Sequence, residues 1–108
     1  MDKARFYSEK TLARTECWLD ECAFPEAVWA RLRIFSDGSA DACWVQGEKL
    51  YGFDSAEYAG YFLSEDEYVR LEGLAAEDER QHQMRISDLR PPDWLDSADQ
   101  PFEYLGTY

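Results

Sequence analysis

The chain predicts an α+β domain, an antiparallel β meander of three to five strands covered by one or two helices, and three observations point there. Residues 28–35 alternate apolar and mixed positions with a period of two. An Asp37-Gly38 pair follows, a dipeptide that tolerates the positive φ of a tight hairpin turn. Beyond Asp54 the apolar spacing changes from two to that of a helix, and helix-capping patterns begin. A length of 108 residues suits a single domain, residues 1–108. Hydrophobic residues at 45% and aromatic ones at 16% supply a core, so the chain folds despite a net charge of -12.

The elements follow in order. Residues 11–19 carry Thr11, Leu12, Thr15, Cys17, Trp18 and Leu19, which suit a strand, although Ala13, Arg14 and Glu16 also permit a helical turn; Pro25 ends the element. A strand is favoured because a three-stranded meander needs a further strand or a helix beside it. In the next strand Val28, Ala30, Leu32 and Ile34 share one face, and Trp29, Arg31, Arg33 and Phe35 share the other. A two-residue turn at Asp37-Gly38 leads to a return strand in which Ala40, Ala42 and Trp44 continue the alternation. Gly47 closes that strand, and residues 49–53 form a third, antiparallel to it. Trp44 and Phe53 are the expected core aromatics.

Two helix starts are expected ten residues apart. Asp54-Ser55-Ala56-Glu57 places an Asp cap ahead of Glu57, and Ser64-Glu65-Asp66-Glu67 repeats the arrangement. The second helix would align Tyr68, Leu71 and Ala75 on one face until Gly73 weakens or ends it. The Arg90-Pro91-Pro92-Asp93-Trp94 run excludes interior helix or central strand, so residues 87–101 are expected to form a surface connection. The aromatic residues Phe102, Tyr104 and Tyr108 suggest a tail that docks as an edge strand.

Charge is distributed unevenly. Residues 1–54 hold seven basic and ten acidic residues, net -3, whereas the remainder holds four and thirteen, net -9. Seven carboxylates between residues 64 and 79 face a single arginine. Such a surface repels nucleic acid and attracts basic proteins, when it is not simply a solubility device. Direct nucleic-acid binding is excluded on this ground: Arg31 and Arg33 do not offset the field. The N-terminus lacks an apolar signal region, and no run of about 18 apolar residues occurs, so a cytoplasmic protein outside the membrane is expected. Three cysteines, an odd count, suit reduced thiols.

Catalytic and metal patterns are sparse. His82 is the single histidine and sits in a polar segment, where general acid-base work would need an oriented partner. Cys17, Cys22, Cys43 and His82 lack the paired ligand spacing of a structural zinc site, and buried cysteines behaving as small hydrophobes are the simpler reading. The glycines occur outside any phosphate-loop pattern, and Glu65-Asp66-Glu67 lacks calcium-loop spacing. No enzyme, cofactor or metal is therefore expected.

The segments Tyr51-Gly52-Phe53-Asp54-Ser55, Phe62-Leu63-Ser64-Glu65-Asp66-Glu67-Tyr68 and Pro91-Pro92-Asp93-Trp94, with the aromatic C-terminus, resemble small acidic bacterial proteins of the immunity type, encoded beside polymorphic or secreted toxins. The resemblance spans about residues 28–108. It implies a cytosolic antidote that binds one cognate, basic toxin domain and blocks its active site. Interfaces favour Tyr, Trp and Arg anchors within a charged surround. The partner-binding candidates are accordingly Tyr61, Glu65, Asp66, Glu67, Tyr68 and Glu72, with the Trp29, Arg31 and Phe35 strand face as the second choice. A nucleic-acid mimic that inhibits a DNA-binding protein, and a small enzyme, are the alternatives of other classes.

Overall fold

The structure, a computed structural model, describes residues 3–44, 49–95 and 103–107. A short helix α1 (Lys3–Phe6) precedes β1 (Leu12–Asp20), β2 (Trp29–Phe35), β3 (Ala40–Trp44) and β4 (Lys49–Phe53). Then come α2 (Ala56–Glu65), β5 (Tyr68–Arg70), α3 (Ala76–His82) and β6 (Glu103–Thr107). The strands form one six-stranded sheet in the order β5-β1-β2-β3-β4-β6. All neighbours are antiparallel except β4 and β6, which run parallel. The α+β class and the central meander match the expectation. The sheet exceeds three to five strands by one, because the short segment β5 adds to the open edge of β1.

The β2–β3 hairpin is one residue longer than a two-residue turn. The Phe35 N–H donates to the Ser39 carbonyl at 2.9 Å and the Gly38 N–H to the Phe35 carbonyl at 3.0 Å, leaving a Ser36-Asp37-Gly38 loop. Gly38 alone of the three takes a positive φ, 89°. This suits a type I turn followed by a left-handed glycine. Asp37 instead uses its side chain, accepting from the Ser39 N–H at 2.9 Å and from the Ser39 hydroxyl.

Helix α2 starts where the sequence suggested, with Ser55 rather than Asp54 as its cap: the Ser55 hydroxyl accepts from the Tyr58 N–H at 3.1 Å. The second expected helix start at Ser64 is absent. Ser64 lies inside α2, its hydroxyl donating back to the Gly60 carbonyl at 2.9 Å. The chain turns at Glu67, whose φ is 67°, and Tyr68-Val69-Arg70 pairs with Asp20-Leu19-Trp18 of β1. An aromatic and a β-branched residue beside an open strand edge outcompete helix continuation here. Helical structure resumes only at α3, after a 3₁₀ turn over Leu71–Gly73.

Both faces of the sheet are covered. On one, α2 packs Ala59 and Leu63 onto Trp18, Ala30, Leu32, Ala40, Ala42 and Phe53, with Trp44 half-buried at the margin. Burying a side chain the size of Leu63 stabilises by roughly 1.5–3 kcal/mol. On the other face Leu19, Trp29 and Leu95 form one apolar cluster, and Cys43 and Leu50 form another with Tyr7 and Trp94 beside it. The expected surface connection over residues 87–101 is thus partly core, since Leu95 is buried; residues 96–101 lie outside the described residues. The expected edge strand at the C-terminus is β6, while Phe102 and Tyr108 lie outside the described residues.

Candidate partner-binding surface

On α2, Ala59 and Leu63 face the sheet, which turns Tyr58 and Tyr61 outward. They are 51% and 60% exposed, two of the three large hydrophobics that stand out most among the described residues. Neither ring is loose: Tyr58 meets Phe53 edge-on with centroids 5.9 Å apart. A hydrogen bond with the Glu65 carboxylate, one turn further along, raises the Tyr61 phenol above its usual range. Glu57 and Glu65 flank the pair, and the Ser55 cap holds the helix start.

The six residues selected from the sequence are placed in three settings. Tyr61 and Glu65 share the outer face of α2. Asp66 closes the helix, its N–H bonding back to the carbonyls of Leu63 and Ser64. Glu67 turns toward the segment after β1: its carboxylate accepts from the Cys22 thiol at 3.2 Å and its carbonyl from the Glu21 N–H at 2.9 Å. Tyr68 is half-buried against the core beneath α2, and burial, then Asp20 and Asp66, raises its phenol above its usual range. Glu72 lies beyond β5, 3.2 Å from Arg70, which in turn lies 3.1 Å from Glu16. Tyr58 is absent from the candidates read from the sequence because it lies outside the acidic run that singled them out, although it sits one turn before Tyr61.

The second-choice face is closed. Trp29, Arg31 and Phe35 are all buried, Arg31 completely, beneath α1 and the segment ending at Leu95. Their strand neighbour Arg33 carries an ion pair across to Asp41 of β3, with Arg33 Nε 3.0 Å from Asp41 Oδ1. The Tyr7 hydroxyl donates to Asp41 Oδ2 at 2.6 Å. Burial first, then the Asp41 carboxylate, keeps the Tyr7 phenol protonated far above its usual range. Burial likewise pushes the Cys43 thiol up to about 12. These groups hold charge and protons in place inside the molecule; they do not face solvent as a reactive constellation.

His82 is half-buried although the segment around it is polar. Its ring meets Phe24 with centroids 5.0 Å apart, and Nε2 lies 3.6 Å from Glu21, so it anchors the end of α3. Among the described residues, no group of three or more His, Cys, Asp or Glu side chains converges on a common point as metal ligands would, and no helix is long and apolar enough to cross a membrane. Comparison with family models, curated proteins and solved structures gives no match to this chain.

Proposed function

We propose that the chain is a toxin-neutralising protein of the immunity type, which works in the cytoplasm by binding one basic toxin domain and blocking its active site. The observation that carries the reading is the pair Tyr58 and Tyr61, exposed on α2 between Glu57 and Glu65 in the half of the chain with net charge -9. Tyrosines supply large, stiff contact area with a polar tip, and the surrounding carboxylates steer a cationic partner into encounter. Glu65, Asp66 and Glu67 follow one another at the end of α2, where association would be guided. Tyr61 has the exposure needed to anchor the complex, whereas Tyr68 supports α2 from beneath.

Stopped-flow binding to the toxin domain encoded by the neighbouring gene tests this division of labour. Glu65, Asp66 and Glu67 changed together to Gln should slow association and flatten its salt dependence. Tyr61→Ala should leave stability nearly unchanged and speed dissociation by an amount worth about 2 kcal/mol. Tyr68→Ala should both speed dissociation and lower stability. Inhibition of several unrelated DNA-binding proteins, lost steeply with salt, would favour nucleic-acid mimicry instead.

A further inference from the structure

Strand β1 is nine residues long and pairs with β2 along most of its length, but β5 covers its other side only at Trp18–Asp20. Residues 12–15 are exposed, and Leu12 is 49% exposed. The hydrogen-bond phase of the ladder shows what this edge offers. The Asp20 N–H donates to the Val28 carbonyl, so the even residues Trp18, Glu16 and Arg14 bond toward β2. The odd residues turn their backbone groups outward: Leu19 faces Val69 of β5, the Glu21 N–H meets the Glu67 carbonyl, and Thr15 faces solvent. Unpaired strand edges of this kind are templates for another strand.

We propose that the β1 edge pairs with the β1 edge of a second copy of this chain, antiparallel and centred on Thr15. The proposal goes beyond the toxin-binding reading and rests on a different part of the molecule. In that register each Thr15 exchanges two backbone hydrogen bonds with its counterpart, and Arg14 of each copy lies directly opposite Glu16 of the other. The edge is therefore self-complementary under a two-fold axis, the condition for an isologous contact. Its charges balance locally: Arg14 and Arg70 each lie 3.1 Å from Glu16, and Arg70 lies 3.2 Å from Glu72. The ladder is bounded at both ends, by β5 at Trp18 and by the bulge between Leu12 and Arg14. A bounded edge used by its own copy closes as a dimer and does not grow into a filament.

Sedimentation equilibrium from micromolar to millimolar protein, with amide exchange at Thr15 followed over the same series, tests the pairing. The mass should rise from 12.6 kDa toward twice that value, and exchange at Thr15 should slow as it does. Added salt should strengthen the dimer, because it screens repulsion between two chains of net charge -12 while the contact itself is neutral. Thr15→Pro removes a donor that β2 does not use and should abolish the dimer. Arg14→Glu places two carboxylates opposite each other and should weaken it at least about tenfold. A mass that stays monomeric throughout overturns the proposal, as does a dimer that a folded Thr15→Pro variant retains. Should that variant not fold, a dimer in which Thr15 exchange ignores concentration, or which Arg14→Glu leaves unchanged, overturns it equally.

Discussion

The two faces of the sheet are built from the same strands by opposite means. Beneath α2 the strands present Ala30, Leu32, Ala40, Ala42 and Phe53, an apolar surface in which small residues let the helix lie close. On the reverse, the alternate positions of the same strands present Trp29, Arg31, Arg33, Asp41 and Cys43, most of them as deeply buried. Equal burial thus does not mean equal chemistry. Stability on the α2 face depends on volume, whereas on the α1 face it depends on charges remaining matched.

The largest expected effect separates the two. Asp41→Ala leaves the Arg33 guanidinium and the Tyr7 hydroxyl without their shared carboxylate, and should lower stability by about 3–5 kcal/mol in urea unfolding. Replacing the pair together, Arg33→Met with Asp41→Leu, should recover most of that loss, because the penalty arises from the stranded charge. Full destabilisation in the double variant would show that shape governs this face too. On the α2 face Leu63→Ala should cost about 2–4 kcal/mol, the transfer term plus the cavity left against Phe53 and Ala42.

Gly52→Ala sharpens the comparison at smaller scale. A Cβ at Gly52 would stand 2.6 Å from the Phe6 ring, so the added methyl should destabilise by about 1–3 kcal/mol. Phe6→Leu in the same chain should relieve part of that loss. The smallest effect is one of pH. Hydrogen bonds from the Ser39 hydroxyl and N–H, then Lys10, hold the Asp37 carboxyl down to about 2. Its contribution is therefore fully present above the unfolded carboxylate range of about 4 and is lost as pH falls through about 2. Asp37→Asn should therefore be less stable than the native chain at neutral pH, and the difference between the two in urea unfolding should shrink as pH falls from about 4 through about 2.

The α2 face was the more legible from sequence. Alternation through residues 28–44 named its alanines, and the capping pattern before Glu57 placed the helix to within one residue. The reverse face was not legible, for a physical reason. Arg31, Arg33 and Asp41 become core only through cross-strand pairing and the cover of α1, neither of which leaves a periodic trace in the chain. Strand β5 was hidden differently: Ser64-Glu65-Asp66-Glu67 carries a capping pattern, but the open side of β1 outcompetes it. Of the candidate surface, Tyr61 and Glu65 were legible as an aromatic anchor beside an acidic run, and the unbroken α2 is what sets them one turn apart on one face. The support role of Tyr68 depends on β5 and could not be anticipated from spacing.

The Phe6 ring lies where a side chain on Gly52 would otherwise stand, and this contact links the two ends of the folding sequence. Residues 3–6 are synthesised well before β4, yet the hollow that receives Phe6 exists only once β4 has joined β3, some forty residues later. The amino-terminal segment must therefore wait, with Phe6 and Tyr7 uncovered, until the hairpins behind it are complete. Docking then closes water away from the Arg33–Asp41 pair, so a segment synthesised ahead of the strands it covers acts as the last seal on the sheet.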